Sequence, residues 1–478
     1  MKIEKRQCFR VAAITLATLT LTTSARADAV VDWNIITGQT IPFATRPGGS
    51  PGLDYAMVHA AIHDTVQAYD RRFEPYAVEI TGASGSPVAA VAKAAHDVLV
   101  ARFPAQTASL DATYNAYLAS HGGLSQNDPG VSVGRLAAAA IIALRANDGS
   151  WPAVPVIFNG GTGPGEWRPT PPAFASMAVP WLGAVTPFTL KDSAQFRVNQ
   201  PPPDLSSRKY ADDYNEVKAL GALSNSARTL EQTDLAYFYA DNAFLYWNRA
   251  LQGIANTYLD NMGDSAKLFA LCSLAMADAV ITAWDSKLYY NFWRPVTAIQ
   301  QGDNDFNPLT KGDPGWLPLI VTPAYPDYTS GANSLNGAVT GMLRHFFGTD
   351  RLTFTLTSNT PQVIQKTRTY NRLSDAADEI VDARIYLGIH FRAADEVARD
   401  QGEHVSHSQI QTPHLMLIPH DEFSSRHGHR CPNFSVLGRR APSLCLATSG
   451  QHRRRIKGSI PHNHILRSPA QRLVKGCA

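Results

Sequence analysis

Apolar residues recur with helical spacing along most of the first 405 residues of this 478-residue chain. In the segment LDYAMVHAAIHDTVQAYD (53–70), the positions Met57, Ala60, Ala61 and Val66 suit a buried helix face. Strand-like alternation is rare, and no internal repeat is visible. Five more segments have the helical pattern: VAAVAKAAHDVLVARF, GRLAAAAIIALRAND, RKYADDYNEVKALGAL, QTDLAYFYADNAFLYWNRAL and SAKLFALCSLAMADAVITAWDSKLYYNFW. The pattern predicts an all-α domain over residues 28–405.

Loops rich in Pro and Gly separate these helices, notably residues 158–187 and the QPPPD run that starts at Gln200. Because Pro and Gly interrupt regular structure, we expect long irregular connections there. An apolar fraction of 44% and a charged fraction of 17% fit a compact protein with a sizeable core.

The first 27 residues have the layout of a secretory signal peptide. Four Lys or Arg residues precede an uncharged stretch at 11–23, and small residues flank a cleavage site after Ala27. Thirteen residues are too few to span a bilayer, and no later segment has 18 uninterrupted apolar residues. We therefore expect an exported mature protein, periplasmic or extracellular, without a membrane span.

Residues 406–478 differ in composition from the rest of the chain. They contain eleven Lys or Arg, two acidic residues and eight of the fifteen histidines, without a sustained period. A basic arm for nucleic acid or membrane, or a His-rich metal tract, is one interpretation. Disorder or translation in a shifted reading frame is the interpretation that the sequence favours, so we expect no nucleic-acid partner.

Three segments in the second half concentrate cations, small residues and an imidazole. KLYYNFWRP has two cations seven residues apart, TSG offers a hydroxyl and a backbone N–H before a helical run, and ARIYLGIHF has Arg six residues before His. Together they suit a tetrahedral oxyanion such as phosphate or vanadate. The residues are Lys287, Arg294, Ser330, Gly331, Arg384 and His390.

These segments resemble the signatures of vanadium-dependent haloperoxidases and type 2 phosphatidic acid phosphatases: Lys-x6-Arg-Pro, Pro-Ser-Gly-His and Ser-Arg-x5-His. The similarity to the bacterial haloperoxidase-like branch covers most of residues 28–405, including AMVHAAIHD. It implies a helical bundle that binds vanadate and uses hydrogen peroxide and a halide. Proteins of this type often form dimers, so a homodimer is also an expectation.

The resemblance also implies a role for each site residue. The cations would contact the equatorial oxygens of vanadate, the serine hydroxyl and the glycine N–H would each bind an oxygen, and the histidine would be the axial vanadium ligand. The second ring nitrogen of that histidine needs a partner, for which Asp395 is a candidate. The cations are Lys287, Arg294 and Arg384, the serine and glycine are Ser330 and Gly331, and the histidine is His390.

The chain departs from the family pattern after Ser330-Gly331, where Ala332 stands in place of a histidine that exchanges protons. Losing a general acid or base lowers a rate by about 10²–10⁴-fold, so activity is expected to be reduced. Three other histidines could substitute, although each is more often a core or surface residue: His59, His63 and His345.

Two alternative functions remain open from the sequence. An exported acid phosphatase would use His390 as a nucleophile on small soluble phosphate esters. A non-catalytic homologue would keep the oxyanion site and lack the proton chemistry. The lack of several membrane spans argues against a lipid substrate.

Overall fold

The structure is a computed structural model that describes residues 28–411. The expected signal peptide at 1–27 lies outside the described residues, as does the tail from 412 onward with three of the five cysteines. Within the described range the chain is almost entirely helical, which confirms the all-α class. Its helices α1 to α13 span Ala29–Thr40, Pro51–Asp70, Pro87–Arg102, Thr107–Ser120, Gly130–Leu144, Arg208–Leu220, Leu230–Phe238, Ala243–Tyr258, Met262–Tyr290, Pro295–Gln300, Gly331–Phe347, Leu373–Tyr386 and Arg392–Ile410.

Helix α9 forms the centre of the bundle and packs against α2, α11 and α13. By length and composition it could cross a membrane, but 94% of its most apolar window is buried inside the protein. Its Ala-rich sequence allows neighbouring helices to approach closely, and its only cysteine, Cys272, is buried there. The helix ends at Tyr290, and the next residue, Asn291, has a left-handed backbone (φ 45°) that turns the chain toward the site.

Helices α11 and α13 touch backbone to backbone because glycines lie at their contact. A Cβ on Gly337 would come within 2.0 Å of the Arg399 carbonyl oxygen, and one on Gly402 within 1.9 Å of the Ser334 oxygen. This contact brings the N-terminal ends of the two helices together. The Ser330 N–H donates to the Ala394 carbonyl at 3.0 Å.

The predicted Pro/Gly-rich loop positions the segment that follows α9. The Trp167 N–H donates to the Asn291 carbonyl at 2.7 Å, and the Trp293 N–H donates to the Gly165 carbonyl at 2.9 Å. Both tryptophan side chains are fully buried. The loop therefore holds the backbone just before Arg294 on both sides.

Three local features differ from the sequence prediction. The segment 232–251 forms two helices, because α7 ends at Phe238 and the Asn242 side chain caps α8. Residues Phe354–Thr357 and Thr367–Tyr370 pair as antiparallel strands β1 and β2, which are too short to give a periodic signal. Helix α13 continues to Ile410, five residues beyond the predicted domain end at 405.

Candidate functional site

Lys287 and Arg294 both bind the backbone of one short loop. Lys287 lies in the last turn of α9 and donates from Nζ to the carbonyl oxygens of Pro326 (2.7 Å) and Asp327 (3.0 Å). Arg294 directly precedes α10 and donates from Nε to the Tyr325 carbonyl at 2.7 Å. Both cations are fully buried. Their spacing of seven residues therefore places them side by side, although the helix ends between them.

Ser330 and Gly331 begin helix α11, as predicted. The first backbone N–H groups of a helix have no partner within it, so this end attracts an anion. Gly331 lies against the indole of Trp284, where a Cβ would come within 2.7 Å of Cζ3. A larger residue at this position would have to displace the tryptophan.

Arg384 and His390 are joined by a sharp turn after α12. Gly388 has a left-handed backbone (φ 77°), and a Cβ there would lie 2.3 Å from the Gly221 carbonyl oxygen. The Arg294 Nη1 donates to the Ile389 carbonyl at 2.5 Å. These contacts place the imidazole of His390 beside Arg294, and its side chain is 1% exposed.

His390 lies between a cation and a carboxyl group. Its Nδ1 is 2.7 Å from Oδ1 of Asp327, and its Nε2 is 3.1 Å from Nη1 of Arg294. Because the Arg294 guanidinium only donates, Nε2 faces it with its lone pair, and the proton of the neutral imidazole lies on Nδ1, toward Asp327. Nε2 is the ring atom available to a ligand role or to a nucleophile once Arg294 donates to a bound anion instead.

Burial and neighbouring charge keep the imidazole neutral. Burial, then the charges of Arg294, Lys287 and Arg384, hold the pKa of His390 well below its usual value. Burial and the nearby Arg294 likewise lower the pKa of Lys287. Burial raises the pKa of Asp327 to about 8, although Arg294 and Lys287 oppose the rise.

Asp395 does not contact His390, contrary to the sequence expectation. Its Oδ1 accepts a hydrogen bond from Asn333 Nδ2 at 2.7 Å, and Asp327 lies next to the histidine instead. The sequence analysis missed both Asp327 and the Asn333 contact. The sequence feature that could have indicated Asp327 as a site residue is its position three residues before Ser330, in the same segment.

The three substitute histidines lie away from Ala332. His59 is buried against Phe269 and close to Asn34, and His63 Nε2 is 3.0 Å from the Glu74 carbonyl oxygen. His345 follows Ala332 by thirteen residues on the same helix, or about 20 Å at 1.5 Å per residue. Each is a core or peripheral histidine, in agreement with the commoner role of such residues.

A cavity of about 220 Å³ leads to one side of this cluster. Trp284 and Tyr325 form part of its wall, and Gly331, Ala332 and Arg384 also line it. The small side chain of Ala332 widens the cavity where the family pattern has an imidazole. Small molecules would therefore approach from the side of Arg384 and the start of α11.

The residues fit a bound oxyanion. Within residues 28–411, Arg294 Nη2 and Arg384 Nε are buried without a hydrogen-bond partner. The Ser330 Oγ makes no well-formed hydrogen bond, although the hydroxyl is close enough to Asp395 to lower its pKa. Buried donors without partners are costly, and an anion with several oxygens would satisfy them. Vanadate, which the family resemblance implies, would meet this requirement, as would phosphate.

Comparison with known proteins points to one family. The VCPO second helical-bundle domain matches residues 267–416. The chain is 30% identical over 208 residues to the vanadium chloroperoxidase of Curvularia inaequalis, and the match spans 36% of this chain and 33% of that protein. This chain thus covers about a third of the length of that curated relative.

The likeness to solved structures extends over most of the chain. A bacterial vanadium-dependent iodoperoxidase superposes with a TM-score of 0.68 at 24% identity, covering 82% of this chain and 96% of that one. An apo bacterial vanadium-dependent chloroperoxidase superposes with a TM-score of 0.61 at 18% identity, over 75% and 91% of the two chains. The chain has the fold of the vanadium-dependent haloperoxidases, and residues 267–416 match the model of the VCPO second helical-bundle domain.

Proposed function

We propose that this protein is a vanadate-dependent haloperoxidase-like enzyme that oxidises halide with hydrogen peroxide. The observation that carries the proposal is the convergence of three cations on one buried, neutral imidazole. Lys287, Arg294 and Arg384 each lower the pKa of His390, so all three charges lie close to it. Two buried cations beside the half-buried Arg384 are unfavourable without an anion, so their clustering supports oxyanion binding.

Each residue has a physical role in this proposal. Lys287 has two of its three donors on backbone carbonyls and one left for an anion oxygen. The unpartnered nitrogens of Arg294 and Arg384 and the start of α11 supply further donors. His390 presents Nε2 as a neutral ligand atom whose orientation is set through Nδ1 and Asp327. Bound vanadate would supply a Lewis-acid centre that activates hydrogen peroxide toward the halide.

An acid phosphatase acting on small phosphate esters is the second candidate, and the same histidine supports it. A neutral imidazole backed by a carboxyl group, with a lone pair on Nε2, is also a suitable nucleophile toward phosphorus. Ala332 counts against this candidate, because ester hydrolysis needs an acid for the leaving group. A halide oxidation assisted by a metal centre depends less on that acid.

Export is part of the same proposal and rests on residues 1–27. If the signal peptide is cleaved after Ala27, the mature chain begins at Asp28. N-terminal sequencing of protein collected outside the cytoplasm would test this. A mature protein that still begins at Met1 would contradict it.

The function is tested with a paired assay on the purified protein. The protein is incubated with orthovanadate and assayed for bromide and iodide oxidation with hydrogen peroxide, and separately for phosphate-ester hydrolysis without vanadate. The haloperoxidase would be supported by halide oxidation that depends on vanadate and that His390→Ala abolishes. The control His407→Ala, on the exposed face of α13, should leave this activity intact. Hydrolysis that vanadate inhibits would favour the phosphatase. Vanadate binding without either activity would indicate a non-catalytic oxyanion-binding protein.

A further inference from the structure

The residue that replaces the missing histidine can be sought among the buried groups around Ala332. Asp395 lies in the first turn of α13, directly after Ala394, whose carbonyl accepts the Ser330 N–H at 3.0 Å. The carboxyl group is fully buried. It therefore lies where the start of α13 meets the start of α11, which carries Ser330 and Gly331.

The two carboxyl oxygens of Asp395 have different surroundings. Oδ1 accepts the hydrogen bond from Asn333 Nδ2, which fixes the orientation of the group. Oδ2 has no hydrogen bond within residues 28–411, and neither has the Ser330 hydroxyl, which lies near enough to the carboxyl group to lower its pKa. One oxygen thus positions the carboxyl, and the other is free to exchange a proton with the serine.

We propose that Asp395, held by Asn333, is the proton-exchanging partner of the Ser330 hydroxyl and performs the task of the histidine absent at Ala332. This inference rests on the proposed haloperoxidase function. The overall reaction consumes a halide, hydrogen peroxide and one proton, and it yields hypohalous acid and water. The O–O bond breaks, the halide gives two electrons to one oxygen, and the other oxygen leaves as water.

The proton follows a short relay in this proposal. The Ser330 hydroxyl gives its proton to the departing oxygen, and Asp395 replaces it from its carboxyl group. Solvent then reprotonates the carboxylate. Asp395 acts through Ser330, so it is a positioning residue for proton transfer that does not itself contact the substrate.

The charges facing Asp395 allow it to hold a proton near neutral pH. Burial raises its pKa to about 7, while the Ser330 hydroxyl, Arg384, Asn333 and Arg294 lower it. These groups come from α11, α12 and the start of α10. Lys287 of α9 and Asp327 of the adjoining loop also interact with it. An anion bound among the cations would further favour the protonated carboxyl, so binding should be accompanied by proton uptake.

The test compares the full-length protein with Asp395→Asn, which keeps the shape and removes the exchangeable proton. Titration calorimetry with orthovanadate in two buffers of different ionisation enthalpy gives affinity and proton uptake, and triiodide formation gives the rate against pH. We expect Asp395→Asn to bind vanadate within about threefold of wild type and to take up fewer protons. Its rate should fall by about 10²-fold or more, with a flatter pH profile near 7. Asp400→Asn, an exposed carboxylate on the same helix, should change none of these values.

Two further variants keep the proposal falsifiable if Asp395→Asn folds poorly. Asn333→Leu removes a hydrogen bond that lowers the pKa of Asp395, so the pH midpoint of the rate should move upward. Adding Ala332→His to Asp395→Asn should recover at least about tenfold in rate if the histidine task was lost. The proposal would be overturned if Asp395→Asn showed the proton uptake and the pH profile of the wild type. It would also be overturned if the pH midpoint of the rate did not move in Asn333→Leu.

The test also separates this proposal from the proposed function. If wild-type protein binds vanadate but oxidises no halide, the haloperoxidase assignment fails. The calorimetric proton uptake still decides the role of Asp395, because it does not depend on turnover. Loss of that uptake in Asp395→Asn would support the role, and unchanged uptake would refute it.

Discussion

His390 and Asp327 form a buried pair in which Nδ1 of the imidazole lies 2.7 Å from Oδ1 of the carboxyl group. Lys287 and Arg294 hold the loop that carries Asp327 by its backbone carbonyls. The cations of the site therefore position the group that orients its histidine. The loop at 325–327 therefore fixes the positions of Lys287 and Arg294 and also carries the carboxyl group beside His390.

Replacing Asp327 by Asn should weaken vanadate binding by about 10–100-fold, the usual effect of losing a group that orients a metal-binding histidine. Below pH 8 the buried carboxyl is mostly protonated, so the substitution changes orientation more than charge. Equilibrium dialysis with vanadate at pH 7 measures the effect. Asp378→Asn, on an exposed face of α12, is the matched control. Equal affinity in Asp327→Asn and wild type would mean that the pair does not orient His390.

Replacing Lys287 by Met should abolish the stabilisation of the protein by vanadate. A ligand at 100 times its dissociation constant stabilises the folded state by about 2.7 kcal/mol, which raises the melting temperature. Lys287 is buried beside the site, and Met preserves the apolar length of the side chain. Thermal melts with and without orthovanadate measure the shift. Lys267→Met, on the same helix and remote from the site, should retain it; a full shift in Lys287→Met would contradict oxyanion binding here.

Replacing Gly388 by Ala should destabilise the fold and misplace His390. The left-handed backbone and the contact with the Gly221 carbonyl both oppose a Cβ, so we expect a loss of about 2 kcal/mol or more. Urea unfolding provides the measurement. Gly253→Ala in α8 is the control, because a Cβ there meets nothing within 4 Å, and it should stabilise by about 0.5–1 kcal/mol. Similar effects of the two substitutions would show that the turn at Gly388 tolerates a side chain.

Replacing His59 by Gln should make the protein less sensitive to acid. Burial lowers the pKa of His59 to about 3, so below the unfolded value of about 6.5 the unfolded chain binds a proton that the folded protein excludes. The free energy of unfolding therefore falls as pH drops from about 6.5 toward 3, by up to about 1.4 kcal/mol per pH unit from this residue. Urea unfolding at pH 6 and pH 4.5 should show a smaller decrease in His59→Gln than in wild type or His407→Gln. An unchanged decrease would mean that His59 is protonated in the folded protein.

Ending the chain at residue 405 should lower its stability relative to a chain ending at 411. The shorter chain loses the buried Ser406 and Gln409, and the Gln409 Nε2 donates to the Leu271 carbonyl at 3.2 Å. Loss of these contacts should reduce the free energy of unfolding by about 1–3 kcal/mol. Thermal melts of the two chain lengths make the comparison. Equal melting temperatures would indicate that the last turns of α13 contribute little.

The sequence predicted the helical class and most helices because their apolar periodicity is a local property. The segment 232–251 was predicted as one helix because its pattern continues across a break that the Asn242 cap defines. Strands β1 and β2 were missed because four residues give no clear period. The extension of α13 to Ile410 was missed for a different reason. The change of composition after 405 suggested an end, whereas packing against α9 and α11 carries the helix further.

The candidate site was predictable from sequence only as a set of residue types at fixed spacings. The spacing within the motifs identified Lys287, Arg294, Arg384 and His390, because it indicates which side chains a helix end or a turn can bring close together. It could not assign the partner of His390, and it named only Asp395 as a candidate because distance along the chain was the only geometry available. The pairing of Asp395 with Asn333 depends on how α11 and α13 meet across glycines. The pairing of Asp327 with His390 depends on the loop that Lys287 and Arg294 hold. Local sequence determined the helices and the candidate chemistry of the site. Only tertiary packing decided which carboxyl group faces which partner, because each of these contacts joins segments that are distant in sequence and do not constrain each other.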